Sequence, residues 1–128
     1  MIDRATVSAW LDKYVRAWQS YDPQQIGERF TEDASYYPGP FEPPIRGRDA
    51  VVSAWLENPD PPGSFEARYE PVAVEGDVAA ASGRTIYFGE DRSAIKAEYS
   101  NAFLLRFDEN GRCAEYREWY MKKPDGKG

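Results

Sequence analysis

Apolar and aromatic residues recur every three or four positions over the first twenty residues of the chain. This spacing predicts an amphipathic helix from Asp3 to Ser20, with one face directed into the protein interior. The interior face is unusually aromatic, and its residues are Val7, Trp10, Leu11, Tyr14, Val15, Trp18 and Tyr21. A sheet packed against this helix would therefore contact a largely aromatic surface.

Two shorter helices are predicted next, separated by a strand and a proline-rich loop. Asp22-Pro23 is a typical N-cap followed by proline at the first helical position, which predicts a short helix through Phe30. A short strand is predicted over Ala34–Tyr37. The prolines of residues 38–44 exclude regular structure, because proline lacks a backbone donor and restricts φ. A third helix is predicted over Asp49–Glu57.

The second half of the chain contains four strand-like runs separated by short turn sequences. They cover Phe65–Val74, Val78–Phe88, Ile95–Phe107 and Arg112–Lys122. Short turns between successive strands predict an antiparallel meander. Three helices followed by such a sheet must cover one of its faces, which gives an α+β domain. A strongly curved sheet closed by helices on one side encloses a conical cavity, into which the aromatic face of the first helix would point.

Composition narrows the chemistry that this cavity can perform. The 128 residues are one domain, 1–128, and they contain no histidine, which excludes Ser-His-Asp and Cys-His sites and almost every catalytic zinc site. The single cysteine, Cys113, excludes an internal disulfide. No metal or cofactor is predicted.

A net charge of −6 argues against nucleic acid and membrane partners. No signal peptide or membrane helix is recognisable, so a cytoplasmic protein is expected.

Five short motifs, in this order along the chain, carry a family resemblance: Tyr14–Trp18, Phe30–Ala34, Pro43–Asp49, Arg106–Arg112 and Tyr116–Tyr120. Together they resemble the nuclear-transport-factor-2-like superfamily, over about residues 7 to 122. This superfamily has a cystatin-like α+β fold and includes SnoaL-like polyketide cyclases, ketosteroid isomerases and limonene-epoxide hydrolases. Because it contains both enzymes and non-catalytic binding modules, the resemblance implies a fold and leaves the function open.

The resemblance to ketosteroid isomerases implies three catalytic groups: a tyrosine on the first helix, a carboxylate base after the first strand and a protonated aspartic acid on the sheet. Tyr14 matches the tyrosine. The base position falls at Pro38 and the sheet acid at Phe103, so two of the three groups are missing. Steroid isomerisation by that mechanism is therefore not expected.

The resemblance to epoxide hydrolases implies an acid on the last strand, which Glu118 matches, and an arginine, which Arg84 matches in one register of its strand. The second acid of those enzymes would fall near Ile86 and is absent. SnoaL-like cyclases need only an acid–base carboxylate in an apolar pocket. Glu118 is the best candidate for that role.

Alternation along the last strand places Tyr116, Glu118 and Tyr120 on one face, which the resemblance implies is concave. A carboxylate among aromatic rings is desolvated, and desolvation raises its pKa toward the range useful for acid–base catalysis. The alternative is a structural glutamate that pairs with an inward-facing Arg84 or hydrogen-bonds a tyrosine.

Other residues are predicted to contact the ligand. Asn101 shares a strand face with Phe103 and would either orient a ligand carbonyl or satisfy a buried neighbour. Tyr14 would either donate to a ligand oxygen or act as a core residue with a satisfied hydroxyl. The other residues predicted to contact the ligand are Trp18, Tyr37, Trp55, Phe103, Tyr116 and Tyr120.

Two functional hypotheses remain open. The leading one is a SnoaL-like, cofactor-independent protein that acts on an apolar, oxygenated small molecule, with Glu118 as acid–base residue and Arg84 and Tyr14 as its catalytic partners. The alternative is a non-catalytic ligand-binding or dimerisation module of the same fold. Apolar residues of outward parity, including Ala102, Leu104 and Trp119, predict a homodimer through the outer face of the sheet.

Overall fold

The computed structural model describes residues 2–89 and 92–124. Helix α1 spans Arg4–Ser20, and the Asp3 carboxylate caps it by accepting a 2.8 Å hydrogen bond from the Thr6 backbone N–H. It ends at Tyr21, which adopts a left-handed conformation with φ 52° and donates its N–H to the Ala17 carbonyl. Val7, Trp10, Leu11 and Tyr14 of the predicted interior face are buried, and Val15 and Trp18 are half-buried, so the first helix is confirmed.

The segment after α1 differs from the prediction. Helix α2 spans only Pro23–Gly27, and strand β1 spans Phe30–Tyr37, so the expected helix through Phe30 is wrong at its C-terminal end. Phe30 pairs in parallel with Cys113, whose N–H donates to the Arg29 carbonyl at 2.8 Å. Pairing with a strand distant in sequence therefore overrides the local helical signal.

A two-residue strand that the sequence did not indicate, β2 at Ile45–Arg46, pairs antiparallel with β1 at the edge of the sheet. Helix α3 follows at Arg48–Glu57. Gly47 makes the turn between them at φ 93°, a conformation that a side chain disfavours.

The remaining four strands form the predicted meander. They are β3 at Phe65–Glu75, β4 at Val78–Phe88, β5 at Ile95–Phe107 and β6 at Cys113–Lys122. The six-stranded sheet has the order β2-β1-β6-β5-β4-β3 and is not closed. Only the β1–β6 pair is parallel among the described strands. The β4–β5 connection includes residues 90 and 91, which lie outside the described residues.

The helices cover one face of this sheet. Along β5, Asn101, Phe103 and Leu105 are buried on the helix-facing side, whereas Ala102 and Leu104 are exposed on the other. The interior side joins the buried residues of α1 in one continuous core. The α+β class, with three N-terminal helices on a mostly antiparallel sheet, is confirmed. In the described ranges, no helix combines the length and hydrophobicity needed to cross a membrane.

Candidate functional site

A cavity of about 440 Å³ lies between the helix layer and the inner face of the sheet. This volume is within the usual range for a small-molecule site. Most of its lining side chains are aromatic: Tyr14, Trp18, Tyr21, Tyr36, Trp55, Tyr69, Tyr87, Tyr99 and Tyr120. The remaining lining residues are Ala54, Asn58, Thr85, Asn101 and Glu118.

Most of the residues predicted from the sequence are brought together here. Those that line the cavity are Tyr14, Trp18, Trp55, Asn101, Glu118 and Tyr120. Two others lie beneath the lining: Tyr116 is fully buried, and Phe103 is buried with its ring 6.5 Å from that of Tyr14. Phe103 and Tyr116 therefore support the cavity from the core side and do not line it, in contrast to the prediction that they contact the ligand.

The interpretation of Arg84 as a cavity residue and partner of Glu118 is wrong. Its side chain is 65% exposed on the outer face of β4, where Nη1 lies 3.1 Å from Glu98 Oε2. The next residue, Thr85, is buried on the inner side of the same strand. Because neighbouring residues of a strand point to opposite faces, a shift of one position in register reverses the assignment.

Tyr37 is likewise misassigned. The buried, cavity-lining tyrosine of β1 is Tyr36, whereas the Tyr37 ring lies under the Arg117 guanidinium at 3.9 Å. Arg117 has outward parity on β6, so Tyr37 belongs to the outer face. Tyr36 stacks on Tyr116 instead, with ring centroids 4.3 Å apart.

Glu118 is held by two hydrogen-bonded arms, the first of which runs across the sheet. Its Oε2 accepts a 2.9 Å hydrogen bond from Asn101 Nδ2, and Asn101 Oδ1 accepts one of 2.9 Å from Thr85 Oγ1. The Tyr69 hydroxyl lies 2.5 Å from Thr85 Oγ1. Because the only proton of the Thr85 hydroxyl is donated to Asn101, Tyr69 must be the donor in that contact.

The second arm runs toward α1. Glu118 Oε1 accepts a 2.6 Å hydrogen bond from the Tyr116 hydroxyl, and the Tyr14 hydroxyl lies 2.8 Å from that of Tyr116. Since the Tyr116 proton is committed to Glu118, Tyr14 donates to Tyr116. In both arms every donated proton is therefore directed toward the carboxylate.

The electrostatics of the site follow from burial. Desolvation raises the pKa of Glu118 above its ordinary value of 4.5, although the hydrogen bonds from Tyr116 and Asn101 lower it in part. Desolvation and the nearby Glu118 charge raise the pKa of Tyr116, and desolvation likewise raises the pKa of Tyr14. The phenols therefore remain protonated donors, and Glu118 is the group most readily titrated in the interior.

The rim of the cavity carries a second polar cluster that the sequence analysis missed. The Asp60 carboxylate accepts hydrogen bonds from Trp18 Nε1 at 3.0 Å and from the Tyr21 hydroxyl at 3.2 Å. The Asp60 N–H in turn donates to the Tyr21 hydroxyl at 2.8 Å. These contacts hold the loop after α3 against the C-terminal end of α1.

Several inner residues were also missed, although a signal for some of them existed. Tyr69 and Thr85 occupy inward positions of β3 and β4 that strand alternation marks once one position is known. Asp60 lies in a loop without periodicity, so nothing in the sequence indicated its role. In residues 2–89 and 92–124, no group of three or more cysteine, aspartate and glutamate residues could hold a metal ion.

The architecture, in which helices and an open, mostly antiparallel sheet enclose an interior cavity, is the one that the resemblance to the nuclear-transport-factor-2-like superfamily implies. A family model described as "SnoaL-like domain" matches residues 11–116, so the chain belongs to the SnoaL-like family. Comparison with curated protein sequences gave no significant match.

Among solved structures, the chain is similar to a ketosteroid isomerase-like protein from Erwinia carotovora atroseptica SCRI1043. The two share 22% sequence identity with a TM-score of 0.64, over 94% of this chain and 97% of the other. At this level of identity the likeness concerns the fold alone.

Proposed function

We propose that the chain binds an apolar, oxygenated small molecule in this cavity and that Glu118 transfers a proton to or from it without a cofactor. The observation that carries the proposal is the position of Glu118: its carboxylate lines an aromatic cavity, and its described hydrogen-bond partners, Tyr116 and Asn101, are neutral. Because no cationic side chain of the described cavity lining pairs with this carboxylate, burial raises its pKa toward the working range.

The direction of the hydrogen bonds gives this proton transfer a second component. When Glu118 removes a proton from a carbon next to a ligand carbonyl, negative charge moves to the carbonyl oxygen. The protonated carboxyl of Glu118 can then donate a hydrogen bond to the Tyr116 hydroxyl. The Tyr116 hydroxyl in turn donates to the Tyr14 hydroxyl instead of to Glu118. Tyr14 is thereby released to donate to the new oxyanion, so base protonation and oxyanion stabilisation are coupled through two hydroxyl groups.

Deuterium exchange tests this function without knowledge of the natural substrate. Polyketide-like, terpenoid and steroid ketones would be incubated with the protein in D₂O, and deuterium at the carbon next to the carbonyl would be followed by NMR. We expect catalysed exchange in at least one class, reduced about 100-fold or more in Glu118→Gln. Glu115→Gln, an outward-parity carboxylate on the same strand, is the matched control and should leave the rate unchanged.

The exchange assay also separates the two functional hypotheses. Ligand binding without exchange in the wild-type protein, with equal affinity in Glu118→Gln, would contradict the catalytic proposal and favour a binding module. Exchange that persists in Glu118→Gln would assign the proton transfer to another group.

A homodimer through the outer sheet face is a second proposal, carried by the exposure of apolar side chains there. Leu104 is 43% exposed and Trp119 is 42% exposed, and Trp119 lies opposite Ala102 in the β5–β6 pair. Met121, of the same parity, is 74% exposed. A second copy related by a twofold axis would bury this contiguous patch against itself, with the charged residues of β3 and β4 at its margin.

A further inference from the structure

The charge of the cavity is the feature that the proposed function does not use. Glu118 is the only charged residue among those that line it, and the described lining contains neither arginine nor lysine. Arg84 faces outward and pairs with Glu98. Lys122, two residues beyond Tyr120 on the same face of β6, is exposed and does not line the cavity. The interior therefore presents one negative charge without a positive counterpart.

An unpaired carboxylate in such surroundings is unfavourable unless a counter-charge reaches it. Tyr116 and Asn101 donate to both of its oxygens, which stabilises the ionised form but leaves its net charge in place. A positively charged ligand would neutralise this charge, whereas an anionic ligand would be repelled by it.

The aromatic lining favours the same ligand chemistry. Tyrosine and tryptophan rings attract cations through their π electrons, and cages of such rings bind quaternary ammonium groups. Trp18, Tyr36, Trp55 and Tyr87 line the cavity from α1, β1, α3 and β4, so rings approach its interior from several sides. A charged nitrogen with apolar substituents would contact these rings and the carboxylate at the same time.

The rim supplies independent support, since it carries a second carboxylate. Asp60 accepts hydrogen bonds from Trp18 and Tyr21, which are neutral donors. Burial raises the pKa of Tyr87, and the charges of Asp60 and Glu118 raise it further, so both carboxylates act on this one ring. Both carboxylates therefore add negative potential on the side of the cavity that Tyr87 lines.

From these observations we infer that the ligand of this cavity carries a positively charged nitrogen, either a protonated amine or a quaternary ammonium group, on an apolar frame. This inference rests on the proposed function and specifies the charge of its ligand. An ammonium group beside Glu118 lowers the pKa of the carboxylate and so keeps it ionised, as a base must be, and its positive charge also stabilises the enolate that proton removal forms. The nitrogen lies between the Glu118 carboxylate and the aromatic rings, and the oxygenated part of the ligand faces Tyr14.

The test compares a cation with an uncharged molecule of the same shape. Benzyltrimethylammonium and neopentylbenzene differ in that a carbon replaces the nitrogen. Their binding would be followed through tryptophan fluorescence, because Trp18 and Trp55 line the cavity. We expect the ammonium compound to bind at least about 10-fold more tightly than its neutral counterpart. Glu118→Gln should remove most of this preference, because it lowers the affinity for the ammonium compound and not for neopentylbenzene. Glu115→Gln should leave both affinities unchanged.

A pH series on the wild-type protein gives a second measurement that does not depend on a variant folding. The titratable groups around the cavity are Asp60 and the tyrosines. Burial raises the pKa values of Tyr14, Tyr36, Tyr69, Tyr87 and Tyr116, which keeps them neutral, and the other lining tyrosines are Tyr21, Tyr99 and Tyr120. Affinity for the ammonium compound should fall as the pH is lowered through the Glu118 pKa, which is raised above 4.5. Affinity for neopentylbenzene should show no such loss.

Equal affinity for the two probes, or binding of neither, overturns the cation inference. A preference for the ammonium compound that is the same in Glu118→Gln as in the wild type also overturns the inference. These outcomes are distinguishable from failure of the proposed function, because proton transfer is read separately by deuterium exchange into ketones. A cation preference without any exchange would contradict the catalytic proposal alone.

Discussion

The Tyr116 hydroxyl donates a 2.6 Å hydrogen bond to Glu118 Oε1 and lies 2.8 Å from the Tyr14 hydroxyl. Tyr116 is fully buried and does not line the cavity, yet it connects the carboxylate on β6 to the phenol on α1. The candidate acid–base group and the candidate oxyanion donor are therefore coupled through one core residue.

Replacing Tyr116 by phenylalanine tests this connection. The change removes a donor from Glu118 and an acceptor from Tyr14, so we expect a loss of about 1–3 kcal/mol in the free energy of unfolding. Because the lost hydrogen bond lowers the pKa of Glu118, that pKa should rise in the variant. Urea denaturation measures the first effect. Tyr37→Phe on the outer face is the control, and equal losses in both variants would contradict the role assigned to Tyr116.

Glu118→Gln should have little effect on stability, within about 1 kcal/mol at pH 7. If the Asn101 amide flips, the amide introduced at position 118 donates to the Asn101 oxygen, Asn101 donates to Thr85, and Thr85 donates to Tyr69, so every partner is retained. Chemical denaturation of the variant measures the difference. A loss of about 3 kcal/mol or more would indicate a buried charge pair that the structure does not contain.

A double-mutant cycle with Arg84→Met extends this test. Since Arg84 is exposed and paired with Glu98, its removal should neither rescue nor worsen Glu118→Gln, and the two effects should add within about 0.5 kcal/mol. A larger coupling energy would place Arg84 and Glu118 in contact.

The pH dependence of stability follows from the raised pKa of Glu118. The folded state binds this proton more tightly than the unfolded state, whose pKa is near 4.5. Glu118 therefore lowers the free energy of unfolding as the pH rises from 4.5 through the folded-state pKa, and its effect is constant above that pKa. The free energy of unfolding of the wild type minus that of Glu118→Gln, measured across this window, should therefore decline as the pH rises. If Glu118 instead made the free energy of unfolding rise with pH, its pKa in the folded state would be lowered and the proposed acid–base role would be contradicted.

Gly83 is the residue that lets Tyr69 approach the middle of the sheet. An added Cβ would lie 2.6 Å from Tyr69 Cδ1 and closer still to the Arg68 carbonyl oxygen. We expect Gly83→Ala to destabilise the fold by about 1–3 kcal/mol and to weaken ligand binding, because Tyr69 must move. Ser82→Ala, at the neighbouring position of opposite parity, is the control for thermal unfolding. Wild-type stability in Gly83→Ala would contradict this packing.

The proposed dimer is tested by sedimentation. We expect a single species of about twice the 14.6 kDa chain mass at micromolar concentration. Trp119→Glu should produce monomers by placing a charge in the apolar patch, whereas the same change at Phe41, which is 99% exposed in the proline-rich loop, should not. Monomeric wild-type protein would defeat the proposal.

Where the sequence pattern was regular, it predicted the structure well. The three- and four-residue spacing identified α1 and its buried face, and alternation on β6 correctly separated Glu118 from Trp119. The placement of Arg84, which came from the family resemblance, and that of Tyr37 at the cavity wall were wrong, because nothing in the sequence determined which positions of β4 and β1 face inward. A one-residue error there exchanges the two faces of the sheet.

Other features depend on tertiary contacts that no local pattern contains. The start of β1 at Phe30 results from pairing with Cys113, a residue in the last strand of the chain. The rim contacts of Asp60 arise because its loop returns to the end of α1. The direction of the hydrogen bonds around Glu118 could likewise be derived only after the positions of Thr85 and Tyr69 were known.

An NMR titration of the Glu118 carboxyl carbon in the wild-type protein, assigned by its absence in Glu118→Gln, measures whether this glutamate is available for proton transfer. We expect a pKa above 4.5, since burial outweighs the hydrogen bonds from Tyr116 and Asn101. We also expect a shift to lower pKa when benzyltrimethylammonium is added, because the cation stabilises the ionised carboxylate. A pKa at or below 4.5 in the free protein would contradict an unpaired glutamate available for proton transfer.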